Sequence, residues 1–250
     1  MSPLAFGTVV FVCVLGGGLL GTFLRVVLPE RHLSSESKDL VRLTMGLLAT
    51  MSALVVGLLI TTAKTAYDTQ GGEFRRMSAE IVLLDRALAH YGPEASGARD
   101  RLRRTVADML ARMESSPGLQ AEPPNPTERS EGLYDVVQGL SPQTDSQRTL
   151  RAEALRLGMD IGLMRWLMFA QRGSSIPKPF LVILAFWFTI LFSGFGLFAR
   201  FDGTVLATIL VCALSMAAAV FLILELDQPF EGLVRLSTEP LRAALQQLGR

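Results

Sequence analysis

The chain has few of the residues that carry most catalytic and metal-binding chemistry. Its 250 residues include two cysteines and two histidines. Cys13 and Cys212 lie inside apolar segments, and His32 and His90 lie far apart, so neither a disulfide framework nor a metal-ligand spacing is evident. The sequence also lacks a glycine-rich phosphate loop and a nucleophile elbow. We therefore expect no catalytic residues, no cofactor and no metal site, and the chain is not expected to be an enzyme.

An excess of charge of either sign is also missing. The formal net charge is +1, from 24 Lys and Arg against 23 Asp and Glu. A chain with no basic field has no electrostatic reason to bind nucleic acid, so nucleic acid is not an expected partner. Lysine itself is rare, with three residues against 21 arginines, a bias typical of a GC-rich bacterial genome.

Long apolar runs are what the sequence does have. Four segments of 20 or 21 residues contain no charged residue, namely 4–24, 43–63, 180–199 and 204–224. A helix needs about 20 apolar residues to cross the hydrocarbon core of a bilayer, and lipid cannot satisfy the polar backbone of an open strand. The sequence predicts an all-α fold with four transmembrane helices, embedded in the lipid bilayer.

The four spans divide the chain into predicted domains. Residues 1–63 hold spans one and two, 64–178 form a water-soluble helical domain, 179–225 form a hairpin of spans three and four, and 226–250 form a tail. An even number of spans places both termini and the 64–178 domain on one side. Positive residues are more numerous on that side, which predicts cytoplasmic termini and a cytoplasmic domain in the inner (plasma) membrane.

The 64–178 domain shows helical periodicity with one clear break. Its first apolar seam recurs in steps of three and four and ends before Gly92-Pro93, a helix stop; it contains Phe74, Met77, Ile81, Leu84, Leu88 and Tyr91. Two more helices are predicted, one around Leu102–Met113 and one over 145–171. The proline-rich segment 115–132 between them is predicted to be an exposed or mobile loop. The three seams can pack on one another, on a neighbouring subunit, or on both.

Small residues mark the first two spans. Gly17-x-x-x-Gly21 has the spacing that lets two helices approach closely. In span two, Gly46, Thr50, Ala53, Gly57 and Thr61 form a stripe that indicates either tight helix packing or a weakly polar pore wall, with leucines beside it as an apolar constriction. The candidate pore-lining residues are Gly46, Leu47, Thr50, Leu54, Gly57, Leu58 and Thr61.

Acidic residues close span four. Glu225 and Asp227 end the span and Glu231 follows Pro229. Carboxylates at a helix C-terminus oppose the helix dipole, so an arginine, a bound cation, an aqueous vestibule or simple solvation must offset them. Lys64, on the same side, is an available partner. The amphipathic tail beyond Pro229 can lie along the membrane or along the domain.

Five segments together resemble a known family. They are 28–33 (LPERHL), 46–60 (GLLATMSALVVGLLI), 83–94 (LLDRALAHYGPE), 187–199 (WFTILFSGFGLFA) and 221–238 (FLILELDQPFEGLVRLST), and they are similar to the bestrophin-like family of bacterial membrane proteins, a domain of unknown function. That family is distantly similar to bestrophin ion channels. The resemblance implies a homo-oligomer, possibly of five subunits, whose second span lines a pore for small inorganic ions.

Two functional hypotheses follow from the residues and the resemblance. The first is an oligomeric ion channel with an apolar neck near Leu54 and Leu58, and with Glu225, Asp227 and Glu231 at its vestibule. The second is a non-conducting membrane scaffold or signalling partner that acts through its helical cytoplasmic domain. A transporter ranks last, because no span carries a charged residue at mid-membrane.

Overall fold

The computed structural model describes residues 2–27, 35–115, 126–170, 176–199, 202–228 and 233–249. No strand occurs in these ranges, and the helices are α1 (Pro3–Val27), α2 (Ser35–Tyr91), α3 (Ser96–Ser115), α4 (Pro126–Gln138), α5 (Asp145–Ala170), α6 (Lys178–Phe198), α7 (Gly203–Leu226) and α8 (Glu239–Gln247). Four of them, α1, α2, α6 and α7, are long and apolar enough to cross a membrane. The predicted all-α fold with four spans is confirmed.

The chain forms two compact units. The membrane unit comprises Met1–Ala66 and Ser174–Asp227, and the polar unit comprises Tyr67–Gly173 and Gln228–Arg250. Helix α2 contributes residues to both, because it runs without interruption over 57 residues. The second span and the first helix of the predicted soluble domain are thus one helix.

Glycines allow α1 and α6 to pack with their backbones almost in contact. A Cβ built on Gly17 would lie 2.7 Å from the Thr189 carbonyl oxygen, and one built on Gly21 would overlap the Ser193 carbonyl. On the facing helix, a Cβ on Gly196 would overlap the Gly18 carbonyl. The spacing Gly17-x-x-x-Gly21 therefore does what its pattern predicts, since only residues without a side chain permit this approach.

The polar unit is a helical bundle with its own apolar core. The predicted α2 seam from Phe74 to Tyr91 is buried throughout, with no member more than 3% exposed. It packs with residues of α3 and α5, among them Leu102, Val106 and Leu157. The seams of the three predicted helices thus pack on one another within the chain.

Helix α2 ends where the sequence predicts. Gly92 adopts φ 129°, a conformation that favours glycine, and Pro93 begins a short 3₁₀ turn. The side-chain amide of Gln147 donates to the Tyr91 carbonyl oxygen at 3.1 Å, so a residue of α5 satisfies one of the orphan carbonyls at the helix end.

The predicted loop 115–132 is wrong in its second part. Helix α4 begins at Pro126, so 126–132 is helical, while 116–125 lies outside the described residues. Proline was read as a helix breaker, but it is well suited to the first position of a helix, where its missing N–H costs no hydrogen bond. Within residues 67–173, the described part of the polar unit accordingly has one α-helix more than the three predicted.

The C-terminal tail packs on the polar unit. Leu241 and Leu248 are 0% and 3% exposed and belong to the same core cluster as the α2 seam. Arg242 adds a salt bridge to Glu114 at the end of α3, at 2.5 Å. Of the two positions open to the amphipathic tail, the structure shows α8 along the domain.

Candidate functional site

The candidate pore-lining residues share one face of α2. At about 100° per residue, Gly46, Leu47, Thr50, Leu54, Gly57, Leu58 and Thr61 fall within an arc of about 120°. All seven are exposed in the single chain. The exposed fraction is 63% for Leu47, 76% for Leu54 and 62% for Leu58. We call this surface the span-two face.

The opposite side of α2 packs inside the membrane unit. Met45, Ser52, Leu59 and Ala63 are buried, and their stripe lies about 180° from the centre of the span-two face. Only 17% of the second span is buried in the chain, against 28% to 33% for the other three spans. Of the four spans, the second is therefore the one least covered by its own subunit.

The small residues of the span-two face do not serve helix packing within the chain. A Cβ built on Gly46 or on Gly57 would meet no atom within 4 Å. Gly17 and Gly21 of α1 differ in this respect, because a neighbouring backbone occupies the space that a Cβ would need. Among the residues that the structure describes, packing against another helix of the same chain therefore does not account for these two glycines.

The hydroxyl groups of the face are satisfied by their own helix. Thr50 donates to the Leu47 carbonyl oxygen at 2.7 Å, and Thr61 donates to the Gly57 carbonyl oxygen at 2.9 Å. Such bonds let a threonine lie in an apolar environment at little cost. Their oxygen lone pairs remain weak acceptors, so the face offers an apolar wall with two weakly polar points and no charge.

Two of the three acidic candidates are buried. Glu225 and Asp227 are 3% and 4% exposed, and neither is without a partner. The interpretation of these two carboxylates as solvated interfacial charges is therefore wrong: the chain itself encloses them. Glu231 lies outside the described residues.

One charged residue of the polar unit, Asp85, was not singled out in the sequence. Asp85 lies within the buried face of α2 and pairs with Arg99 of α3. The signal that finds this pair is a carboxylate directly beside Leu84 in the apolar seam, because a buried charge requires a partner. We regard the pair as structural.

In the part of the chain that the structure describes, no three His, Cys, Asp or Glu residues are grouped so as to hold a metal ion. Nothing brings a nucleophile, a base and an orienting group together around the span-two face, whose members are all Gly, Leu or Thr. What the face can do chemically is line a path or contact another apolar surface.

Comparison with known proteins identifies the family. A search of the curated proteins finds no match, and neither does a search of the solved structures. A family model described as a Bestrophin-like domain matches residues 12–241. That match covers the first span from residue 12 onward, the other three spans, the polar helices and the beginning of α8, including every segment on which the resemblance was noted. The chain is a multi-pass membrane protein and belongs to the bestrophin-like family.

Proposed function

We propose that the protein is an ion channel formed by several copies of the chain, five by family resemblance, with the span-two face of each copy lining an axial pore. The observation that carries this proposal is the exposure of the whole span-two face opposite a buried stripe. In an oligomer, this helix face, which the rest of its own subunit leaves uncovered, would surround the pore.

The proposed neck of the pore lies at Leu54 and Leu58. Both side chains project from the face and are more than 60% exposed in the single chain. A ring of leucines makes a constriction that gates by excluding water, and the absence of charge on the face means that it holds no ion tightly. Weak binding is a requirement for conduction, because an ion must leave the pore as easily as it enters.

Glu225, Asp227 and Glu231 are proposed to set the electrostatic potential at the vestibule. Burial of the first two within the chain means that they act through space rather than as direct ligands of an ion in solution. A buried carboxylate is screened less by salt than an exposed one.

The proposed setting is the inner (plasma) membrane of a bacterium, with both termini and the polar unit in the cytoplasm. The positive residues that flank the spans support this orientation. The ligands of such a channel are small inorganic ions, and no enzymatic activity is proposed.

The test is ion flux into liposomes that contain the purified full-length protein. We expect flux above that of empty liposomes, and we expect Leu54→Ala to change it severalfold because the substitution widens the neck. Leu214→Ala is the matched control, since Leu214 is a 62% exposed leucine of α7, outside the span-two face. A folded oligomer that passes no ion in several salts would contradict the proposal.

A second candidate function is a non-conducting scaffold. It is favoured by an exposed apolar stripe on α5, where Met159, Leu163 and Trp166 are 55%, 57% and 52% exposed. These side chains lie at helical spacing in the polar unit, where apolar exposure is unexpected without a partner. The liposome assay separates the two functions, because a scaffold conducts nothing and is unaffected by Leu54→Ala.

A further inference from the structure

The polar unit encloses an apolar cavity of about 60 Å³ that is partly open to solvent. Helices α2, α3, α4 and α5 all contribute to its wall. Most of the lining is aliphatic, including Ile81 and Leu84 of α2, Val106 and Met109 of α3, and Ile161 of α5. This cavity takes no part in the function proposed above.

Two glycines of α5 form part of the cavity wall. Gly158 and Gly162 lie one turn apart, and a Cβ built on either would meet no atom within 4 Å. Glycine in a helix interior weakens the helix relative to alanine. At Gly17 and Gly21 the close approach of another helix accounts for glycine, but here the place of the missing side chain is empty space. Larger residues at 158 and 162 would fill the cavity.

The wall offers little to hold water. The Thr105 hydroxyl already donates to the Arg101 carbonyl oxygen at 2.9 Å, and the other polar side chains of the lining are those of Tyr134 and Arg165. Tyr134 is 37% exposed, which places it where the cavity meets solvent. A buried water needs two to four polar partners, so the inner part of the cavity is suited to an apolar group.

We propose that this cavity is a binding site for a small lipophilic molecule, which inserts the end of an alkyl chain between α3, α4 and α5. A dry cavity of about 150 Å³ takes benzene, so 60 Å³ accommodates about two or three carbon atoms. The rest of the molecule extends past Tyr134, with its polar end in solvent. The proposal does not depend on ion conduction.

The test uses the full-length protein in lipid nanodiscs, with ¹³C-labelled methionine methyl groups. Met109 lines the cavity, whereas Met77 is buried in the same unit, 1% exposed, and does not line it. The probes are xenon, which reports an accessible empty volume, and 1-hexanol, which presents an alkyl end with a polar head. We expect both probes to shift the Met109 methyl resonance saturably and to leave Met77 nearly unchanged.

The matched variants are Gly158→Ala with Gly162→Ala, which fill the cavity, and Gly97→Ala, which adds a methyl group to an exposed site of α3 where nothing lies within 4 Å. The double variant is expected to lose the saturable shift, and Gly97→Ala is expected to keep it. A shift that is linear in probe concentration, equal at both methionines or retained in the double variant would overturn the site. A response to xenon but not to 1-hexanol would overturn the ligand class.

Discussion

Asp85 and Arg99 are joined by two parallel hydrogen bonds, in which Nε and Nη2 of Arg99 donate to the two carboxylate oxygens of Asp85, each at 2.9 Å. Asp85 is 2% exposed, and the backbone N–H of Gly249 donates to the same carboxylate at 3.3 Å. One buried side chain thus connects α2, α3 and the end of the tail. Two-point geometry and burial make such a pair stronger than a surface salt bridge.

Removing the arginine is expected to destabilise the polar unit. Arg99→Ala leaves a buried carboxylate without its cation, at a cost of about 3 kcal/mol or more, and Arg99→Lys restores only part because lysine cannot form both bonds. The measurement is the free energy of opening of the α3 amides, from hydrogen exchange. Arg148→Ala is the control, because its pair with Asp145 lies on the surface. Equal effects of Arg99→Ala and Arg148→Ala would contradict this view of the pair.

The contribution of Asp85 is expected to disappear in acid. Burial alone would raise the pKa of Asp85. The hydrogen bonds from Arg99 and Gly249 lower it by more than burial raises it, so the pKa lies below its ordinary value of 3.8. A group whose pKa is lowered in the folded state stabilises that state above its unfolded pKa, and this contribution is lost as pH falls through the folded value. The stability difference between wild type and Asp85→Asn should be constant above about pH 5 and shrink below about pH 4. A stability difference between wild type and Asp85→Asn that grows as the pH falls would contradict a lowered pKa of Asp85 in the folded state.

The close approach of α1 and α6 predicts that alanine substitutions at two glycines of α1 have very different effects on stability. Gly21→Ala drives a methyl group into the Ser193 carbonyl, which belongs to a helix backbone and cannot rotate away. We expect a loss of about 1–3 kcal/mol, visible as a lower thermal unfolding midpoint of the detergent-solubilised chain. Gly16→Ala, on the exposed side of the same helix with nothing within 4 Å, should cause no loss. Similar midpoints for both variants would mean that α1 and α6 do not pack as described.

Water access separates a pore wall from a lipid-facing surface. In a background with Cys13→Ala and Cys212→Ala, we expect a charged thiol reagent to modify Thr50→Cys and Thr61→Cys, on either side of the proposed neck, at least about tenfold faster than Leu214→Cys, because only a hydrated thiol ionises to the reactive thiolate. The readout is the mass shift of protein in liposomes over time. Equally slow modification at all three positions would contradict a hydrated span-two face.

Docking of α8 is expected to support the polar unit. Leu241 is 0% exposed, so Leu241→Ala opens a cavity in the core and should cost about 2–5 kcal/mol. Leu233→Ala removes the same atoms from a side chain that is 80% exposed and should cost little. The comparison is made by urea unfolding in a Trp187→Phe background, so that the fluorescence comes from Trp166 in the polar unit. If Leu241→Ala lowers the free energy of unfolding no more than Leu233→Ala does, the tail is not part of this core.

The helix boundaries show which features could be predicted from the spacing of apolar residues. The end of α2 at Gly92-Pro93 and the buried seam from Phe74 to Tyr91 were predictable, because glycine, proline and the spacing of apolar residues act locally. The continuity of α2 through residues 64–73 and the start of α4 at Pro126 were not predicted. Polar composition does not break a helix, and proline at a first position starts one as readily as it ends one.

The span-two face illustrates a limit of a different kind. The small-residue stripe was visible in the sequence, but a packed helix face and an exposed pore wall would show the same spacing of small residues. The structure separates Gly17 and Gly21, where an added Cβ would meet a neighbouring backbone, from Gly46 and Gly57, where it would meet no atom of the described residues within 4 Å. Spacing alone cannot make this distinction, because it does not say which faces of two distant segments meet.

The sequence by itself determined that this is a four-span, all-helical membrane protein of its family, because the length and the lack of charge of an apolar run are local properties and lipid accepts only a helix with satisfied backbone groups. Only the tertiary structure decided that Glu225 and Asp227 are enclosed, that Asp85 finds Arg99, and that Gly158 and Gly162 border a cavity. Burial, pairing and empty space are relations between segments far apart in the chain, and they exist only once helix faces have packed against one another.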